Sequence, residues 1–144
     1  MRQYHLRTRL SWKRGNGEVL GFAVCSFILT FILMAVSAFM IYSIKSQHLT
    51  VAAYAVGRAA VVSRDESLAD SRAYAVLQTI YGSDRSSRSE SAETDHAWYT
   101  IEYTGEWKTG KIATITVYQH LGSIFPLGEQ NISRSIAMMI EDQP

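Results

Sequence analysis

Residues 19–44 read VLGFAVCSFILTFILMAVSAFMIYSI and contain no Asp, Glu, Lys, Arg or His. As an α-helix this stretch would extend for about 39 Å, whereas the hydrocarbon layer of a bilayer is about 30 Å thick. A cleaved signal peptide is the alternative, but the apolar core of a signal peptide has only about 7–15 residues. Because the apolar run continues unbroken to Ile44, we expect an uncleaved transmembrane helix over residues 18–44.

Charge is distributed unevenly on the two sides of this stretch. Residues 1–44 carry five basic residues and one acidic residue, whereas residues 45–144 carry nine basic and twelve acidic residues. Positive charge beside a membrane helix keeps that flank in the cytoplasm. The sequence therefore predicts a single-pass protein of the cell membrane with a basic cytoplasmic leader (1–17) and an extracytoplasmic domain (45–144). The bilayer is the first predicted partner, and the charge balance does not favour nucleic-acid binding.

The single cysteine, Cys25, lies inside the apolar run. No disulfide can form within the chain, so the outer domain must be held by packing alone or by packing against partners. We interpret Cys25 as a small apolar side chain. Acylation of this cysteine is the weaker alternative, because Phe22, Ala23 and Val24 match the usual small-residue box poorly.

Helical periodicity continues beyond the apolar run. Residues 45–62 contain no proline, and their apolar residues recur at spacings of three and four. We predict one long helix from about Glu18 to Ser63, with glycines in the leader interrupting any helix before it. A second amphipathic helix is predicted over 67–81, ending at Gly82.

The rest of the chain alternates in the manner of β-strands. Residues 83–95 are polar and predict an exposed, mobile loop. Residues 96–104 and 111–120 predict a hairpin. Residues 121–129 predict an irregular excursion, and residues 132–141 predict a third antiparallel strand, with a helix as the alternative for that segment. The expected fold is therefore an α+β membrane protein with a small antiparallel sheet of about three strands.

The sequence lacks the common signatures of catalysis. It has no paired cysteines, no His-x-His spacing, no phosphate-binding glycine loop and no glycine-flanked serine nucleophile. We therefore predict that the protein is not an enzyme and has neither a metal nor a cofactor. Five aromatic residues on the predicted hairpin either pack in the core or form a surface that docks on a partner subunit. They are Trp98, Tyr99, Tyr103, Trp107 and Tyr118.

The order of these elements resembles that of type IV pilins, and most closely the TadE-like pseudopilins of tight-adherence systems. The resemblance lies in the stretch RGNGEVLGF (14–22), the apolar run, the Ala-rich segment 52–62 that leads to Arg64-Asp65, and Ile124-Phe125-Pro126 before 132–141. It implies a pilin-like fold and a structural role as a minor pseudopilin of a pilus-like or secretion assembly. The implied partners are other pilin-like subunits and platform proteins, together with a prepilin peptidase.

The resemblance also implies that the leader is processed. The region that would be recognised comprises Gly15, Asn16, Gly17, Glu18, Gly21 and Phe22. The family usually has Glu-Phe where this chain has Gly21-Phe22, with the glutamate fifth after the cut. Cleavage between Asn16 and Gly17 would make Gly21 the fifth residue, whereas cleavage after Gly17 would leave Glu18 first. A third possibility is that the leader is never removed.

Two other functions are compatible with the sequence. One is a membrane-anchored extracytoplasmic module that binds or senses a ligand, with a pocket lined by Trp98 and Tyr118. The other is a single-pass subunit of a secretion or conjugation machine without pilin ancestry. A separate linker after Ile44, rather than a continuous helix, would favour this last alternative.

Overall fold

The computed structural model describes the backbone of residues 3–141 and the side chains of residues 17–141. It confirms the α+β class, with a long apolar N-terminal helix, a second helix and a three-stranded antiparallel sheet. The elements are α1 (Gln3–Val61), α2 (Glu66–Tyr81), a 3-10 turn (Ser83–Arg85), β1 (Ala97–Tyr103), β2 (Ile112–Ile124) and β3 (Gly128–Met139).

Helix α1 is continuous both through the leader glycines and across the end of the apolar run at Ile44. It passes without a break from the apolar run into the outer domain, as predicted, and it ends at Val61. The prediction that leader glycines interrupt the helix is wrong, because α1 already begins at Gln3. Each glycine disfavours a helix by only about 1 kcal/mol relative to Ala. Extending a helix that has already formed avoids the unfavourable nucleation step, so Gly15 and Gly17 do not stop it.

Helix α2 has the predicted position and C-terminal glycine. Asp65 is its extended N-cap residue, although no side-chain hydrogen bond caps the helix start. Gly82 has a φ of 89°, a conformation that favours glycine, and its N–H donates to the carbonyl of Gln78 at 2.8 Å. The buried face of α2 consists of Ala69, Ala73 and Leu77. The two alanines allow the helix to approach the rest of the core closely, and Leu77 fills the core as one of its largest fully buried side chains.

The sheet has the order β1-β2-β3, and both pairs of neighbouring strands are antiparallel. The predicted strand over 132–141 is confirmed, and the helical alternative is excluded. The predicted excursion over 121–129 is largely wrong, because β2 extends to Ile124 and β3 starts at Gly128. The register shifts between Leu121 and Ile124, which lets the ladder continue past an irregularity. Pro126, which cannot donate a ladder hydrogen bond, lies in the short turn between the strands.

The core lies between one face of the sheet, the outer half of α1 and the buried face of α2. Leu49, Val56 and Ala60 of α1 are fully buried, as are Ile115 and Val117 of β2. At Gly57 a Cβ atom would lie 3.0 Å from Cγ2 of Ile136, so the absence of a side chain allows β3 to approach the helix closely. The sheet therefore packs directly onto the continuation of the apolar helix, and α1 has no break between its apolar run and its buried segment.

Candidate functional site

The inner half of α1 is an exposed apolar surface on all sides. Every side chain from residue 17 to residue 34 is exposed, and Phe22, at 77%, is among the most exposed. Within the described part of the chain, α1 is the one helix that is long and apolar enough to cross a membrane, with a mean hydropathy of 2.6 in its most apolar window. A helix that is hydrophobic all round needs an apolar environment, which can be protein or lipid.

The predicted processing region lies on this surface. Gly17, Glu18, Gly21 and Phe22 are exposed on α1. The backbone of Gly15 and Asn16 is helical, while the side chain of Asn16 lies outside the described residues. A Cβ atom at Gly21 would meet no atom within 4 Å, so packing within the described chain does not require glycine there. The position could accept the glutamate that the resembled family carries.

Three of the five predicted docking aromatics face the helices. Tyr99 is only 4% exposed, and its hydroxyl donates to the backbone carbonyl of Asp70 at 2.9 Å and also contacts the Asp70 carboxylate. Trp107 donates from Nε1 to the carbonyl of Ser63 at 2.9 Å, and its ring meets the edge of Tyr103. These contacts tie the hairpin to α2 and to the connection before it. Tyr103 and Trp107 remain partly exposed, and docking on a partner stays a prediction for all three.

The hydrogen bonds of Tyr99 and Tyr103 also affect their protonation. Burial, together with the hydrogen bond to Asp70, raises the pKa of Tyr99 well above its usual value. A hydrogen bond to Glu66 raises the pKa of Tyr103. Both hydroxyls therefore stay protonated, and able to donate, to a higher pH than an unperturbed tyrosine would.

The other two aromatics form a separate feature on the opposite face of the sheet. Trp98 and Tyr118 are cross-strand neighbours, and their rings stack at a centroid distance of 5.5 Å with an interplanar angle of 6°. They line an open groove of about 400 Å³, together with Arg88, Thr100 and other polar residues. Whether this face docks on a partner stays a prediction.

Part of that groove is formed by the segment 83–95, which the sequence describes as an exposed, mobile loop. Ser86 is buried and pairs with Ala97 at the edge of β1. Arg88 forms an ion pair with Asp70 at 3.0 Å, and its guanidinium lies 4.9 Å from the centre of the Tyr74 ring. Most of the segment is exposed, as predicted, but Ser86 is buried and Arg88 is held against α2 by its ion pair with Asp70.

A second cavity, of about 310 Å³, lies where the apolar run meets the domain. Lys45 is the first charged residue after the run, and it forms an ion pair with Asp95 at 2.8 Å. Both residues line the cavity. Gln119 is 1% exposed, and its Oε1 has no hydrogen-bond partner among the described residues. The buried Tyr81 hydroxyl is likewise without a partner in the described part of the chain, and burial, with a smaller effect of Asp95, raises the pKa of Tyr81 to about 12.

This raised pKa predicts a loss of stability at alkaline pH. Between pH 10 and about pH 12 an unfolded chain releases the Tyr81 proton while the folded chain retains it, so the free energy of unfolding falls as the pH rises. The fall from this one group is at most about 1.4 kcal/mol per pH unit. We expect Tyr81→Phe to reduce the slope, measured as the guanidinium unfolding midpoint of the full chain in detergent between pH 9 and pH 12.

The exposed Tyr54 supplies the control, since Tyr54→Phe removes a surface hydroxyl elsewhere on α1. Tyr81→Phe should not lower stability at neutral pH, because the hydroxyl that it removes has no partner among the described residues. An unchanged alkaline slope in Tyr81→Phe would contradict the prediction.

The β2–β3 turn is a feature that the sequence analysis placed in an irregular excursion. The ring of Phe125 meets the edge of Phe31, well inside the apolar run, at a centroid distance of 6.0 Å. An apolar cleft of about 340 Å³ lies between them, lined by Phe27, Thr30, Phe31, Met34 and Phe125. The uncharged sequence LGSIFPLG (121–128) was the available signal, but it does not say what the turn contacts.

Within residues 17–141, no three His, Cys, Asp or Glu side chains come together as metal ligands could. Comparison with protein-family models, with curated proteins and with solved structures gives no match to this chain. The geometry described above leaves four candidate surfaces: the apolar half of α1, the groove at Trp98, the cavity at Gln119 and the β2–β3 turn.

Proposed function

We propose that this protein is a structural subunit anchored in the cell membrane, a TadE-like minor pseudopilin of a pilus-like or tight-adherence assembly. The observation that carries the proposal is that one uninterrupted helix has two different halves. Its inner half is exposed and apolar, and its outer half is the buried support of a small antiparallel sheet. A subunit built in this way can pack its inner half against sister helices while it presents its sheet outside.

The continuity of α1 also separates the proposal from its nearest rival. A single-pass subunit without pilin ancestry would more simply join its anchor and its domain by a linker. Here Lys45 follows Ile44 within the helix, and Leu49 is already fully buried in the domain core. The apolar run and the domain core are therefore joined by continuous helix, which suits a subunit that assembles through its helix.

The orientation is proposed from the charges beside the helix. Five basic residues precede the apolar run, against the single acidic residue Glu18. The positive-inside rule then places the N-terminus in the cytoplasm and residues 45–144 outside. In the proposed assembly the partners are the bilayer, other pilin-like subunits and platform proteins.

The test is processing by a prepilin peptidase. We expect co-expression with the peptidase of a tight-adherence system to shorten the membrane-extracted protein by residues 1–16 or 1–17, measured by intact-mass spectrometry. N-terminal sequencing of the product distinguishes the two bonds. The control is the same strain carrying a catalytically inactive peptidase.

A second variant sharpens this test. Gly21→Glu restores the residue that the resembled family carries, at a position where a side chain meets no other atom of the described chain. We expect it to be cut at least as completely as the wild type. An unchanged mass in both proteins would contradict the processed pseudopilin and would leave an anchored platform component.

A membrane-anchored binding module is the second candidate, and one observation favours it. The groove at Trp98 and Tyr118 combines two stacked aromatic rings with Arg88 and with Thr100, whose buried hydroxyl has no partner in the described chain. Stacked rings beside polar groups are typical of ligand sites. In the pseudopilin proposal this face would dock on a partner subunit, so a small-molecule ligand found in the groove would favour the second candidate.

A further inference from the structure

The β2–β3 turn lies beside the apolar run, far from the outer end of that run. Phe125 contacts Phe31, which lies 13 residues before Ile44. At about 1.5 Å per residue, the turn therefore extends roughly 20 Å down the helix from the end of the apolar run.

A second contact fixes the direction of β3 relative to the helix. Arg134 of β3 donates to the hydroxyl of Ser46, and the turn that precedes β3 contacts Phe31. From Ser46 to Phe31 the helix covers about 22 Å, and from Arg134 to Gly128 the strand covers about 20 Å. These two lengths agree, so the hairpin runs alongside α1 with its turn pointing towards the N-terminal end of the helix.

The thickness of a bilayer then places the turn relative to lipid. Glu18 and the basic leader mark the inner boundary, and a hydrocarbon layer of about 30 Å that starts near Gly17 ends near residue 37 of the helix. Phe31 lies about 9 Å inside that limit. Glu129 lies about 16 Å along β3 from Arg134. Measured down α1 from Ser46, the partner of Arg134, the same distance reaches Ala35, which is close to the outer edge of the hydrocarbon layer.

The side chains of the hairpin change from apolar to polar near the outer edge of the hydrocarbon layer. The five residues from Ile124 to Gly128 carry no charge and include Phe125, which is 61% exposed, and Leu127, which is 41% exposed. The polar side chains Glu129, Gln130 and Asn131 follow immediately. Exposed apolar side chains at a turn, bounded by polar residues at the membrane surface, match the chemistry of an interfacial membrane contact.

We propose that the β2–β3 turn inserts Phe125 and Leu127 among the acyl chains of the outer leaflet and so forms a second membrane contact beside α1. The membrane then covers residues 17–37 of the helix, and the hairpin covers one side of the remaining apolar segment outside it. This inference rests on the membrane anchoring in the proposed function. It does not depend on the pseudopilin assignment.

The test measures the depth of single labelled residues in lipid. In a Cys25→Ala background, Phe125→Cys and Leu127→Cys are each labelled with nitrobenzoxadiazole, and the full chain is reconstituted into phosphatidylcholine vesicles. Some vesicles contain phosphatidylcholine with a nitroxide on its acyl chain, which quenches a label that lies among the chains. Met139→Cys is the matched control, because Met139 is also 61% exposed but lies at the other end of β3. Leu29→Cys, at an exposed position of α1, reports on anchoring itself.

We expect the labels at residues 125, 127 and 29 to emit further to the blue and to lose most of their fluorescence to the nitroxide lipid. The label at residue 139 should do neither. Quenching at residue 29 without quenching at residues 125 and 127 would overturn the inference and leave the anchor intact. Absence of quenching at all three would overturn the anchor as well. One further result would overturn the inference. The label at residue 125 could emit further to the blue without losing fluorescence to the nitroxide lipid, and this shift could grow with the protein-to-lipid ratio. The turn would then contact a second copy of the chain rather than lipid.

Discussion

Val56→Asp is expected to prevent the outer domain from folding, while Val51→Asp, five residues earlier on the same helix, leaves it intact. Val56 is completely buried against the sheet, whereas Val51 is 68% exposed. An unpaired carboxylate in such a core costs several kcal/mol, and a small domain is stable by only about 5–15 kcal/mol in total. An exposed substitution away from special features usually changes stability by no more than about 0.5 kcal/mol.

The measurement is limited trypsin digestion of the full chain in membranes, because a folded domain protects its internal Lys and Arg residues. We expect Val56→Asp to be cut throughout residues 45–141 under conditions where the wild type and Val51→Asp stay intact. Equal resistance in the two variants would mean that the outer half of α1 does not support the sheet.

The double substitution Ile28→Arg with Ile32→Arg is expected to release the chain from the membrane. Both side chains are about half exposed and lie one helical turn apart on the inner half of α1. Each arginine near the centre of a membrane helix costs about 2.5–3.5 kcal/mol. The apolar run contains fourteen Leu, Ile, Phe and Val residues, which favour insertion by roughly 4–8 kcal/mol together. The two arginines are therefore enough to offset most or all of this preference.

The matched control is Val51→Arg with Tyr54→Arg. Both residues are exposed on α1 but lie beyond the apolar run, where no lipid is expected. Flotation on a density gradient after alkaline extraction measures anchoring, because membrane-integrated protein floats while aggregated protein does not. We expect the wild type and the control to float and the Ile28/Ile32 variant to stay at the bottom.

Local sequence patterns predicted most of the elements. The uncharged run 19–44 and the three- and four-residue spacing beyond it predicted a helix that crosses the boundary at Ile44 without a break. Alternation along 96–104 and 111–120 predicted the hairpin and correctly placed Trp98 and Tyr99 on opposite faces. The glycines of the leader were misleading, because the intrinsic preference of a single residue is weak beside the extension of a long helix.

The positions of the candidate sites depended on contacts that are distant in the sequence. Both faces of the hairpin carry aromatic residues, so alternation alone could not say whether Trp98 or Tyr99 faces the core. The polar sequence of 83–95 predicted an exposed loop, but it did not show that Arg88 contacts Asp70 and Tyr74 of α2. The turn at Phe125 reads as irregular because its partner, Phe31, lies 94 residues earlier. Such pairings depend on how the whole chain packs.

The proposed division of α1 is that its inner half anchors the protein and its outer half supports the domain. Flotation followed by trypsin digestion, applied to the Val56→Asp and Ile28/Ile32 variants, tests both parts in a single measurement. We predict that Val56→Asp floats with membranes but is digested, and that the Ile28/Ile32 variant no longer floats while its domain resists trypsin. Loss of both properties in both variants would contradict the division of α1, and a protected, floating Ile28/Ile32 variant would contradict the membrane anchor itself.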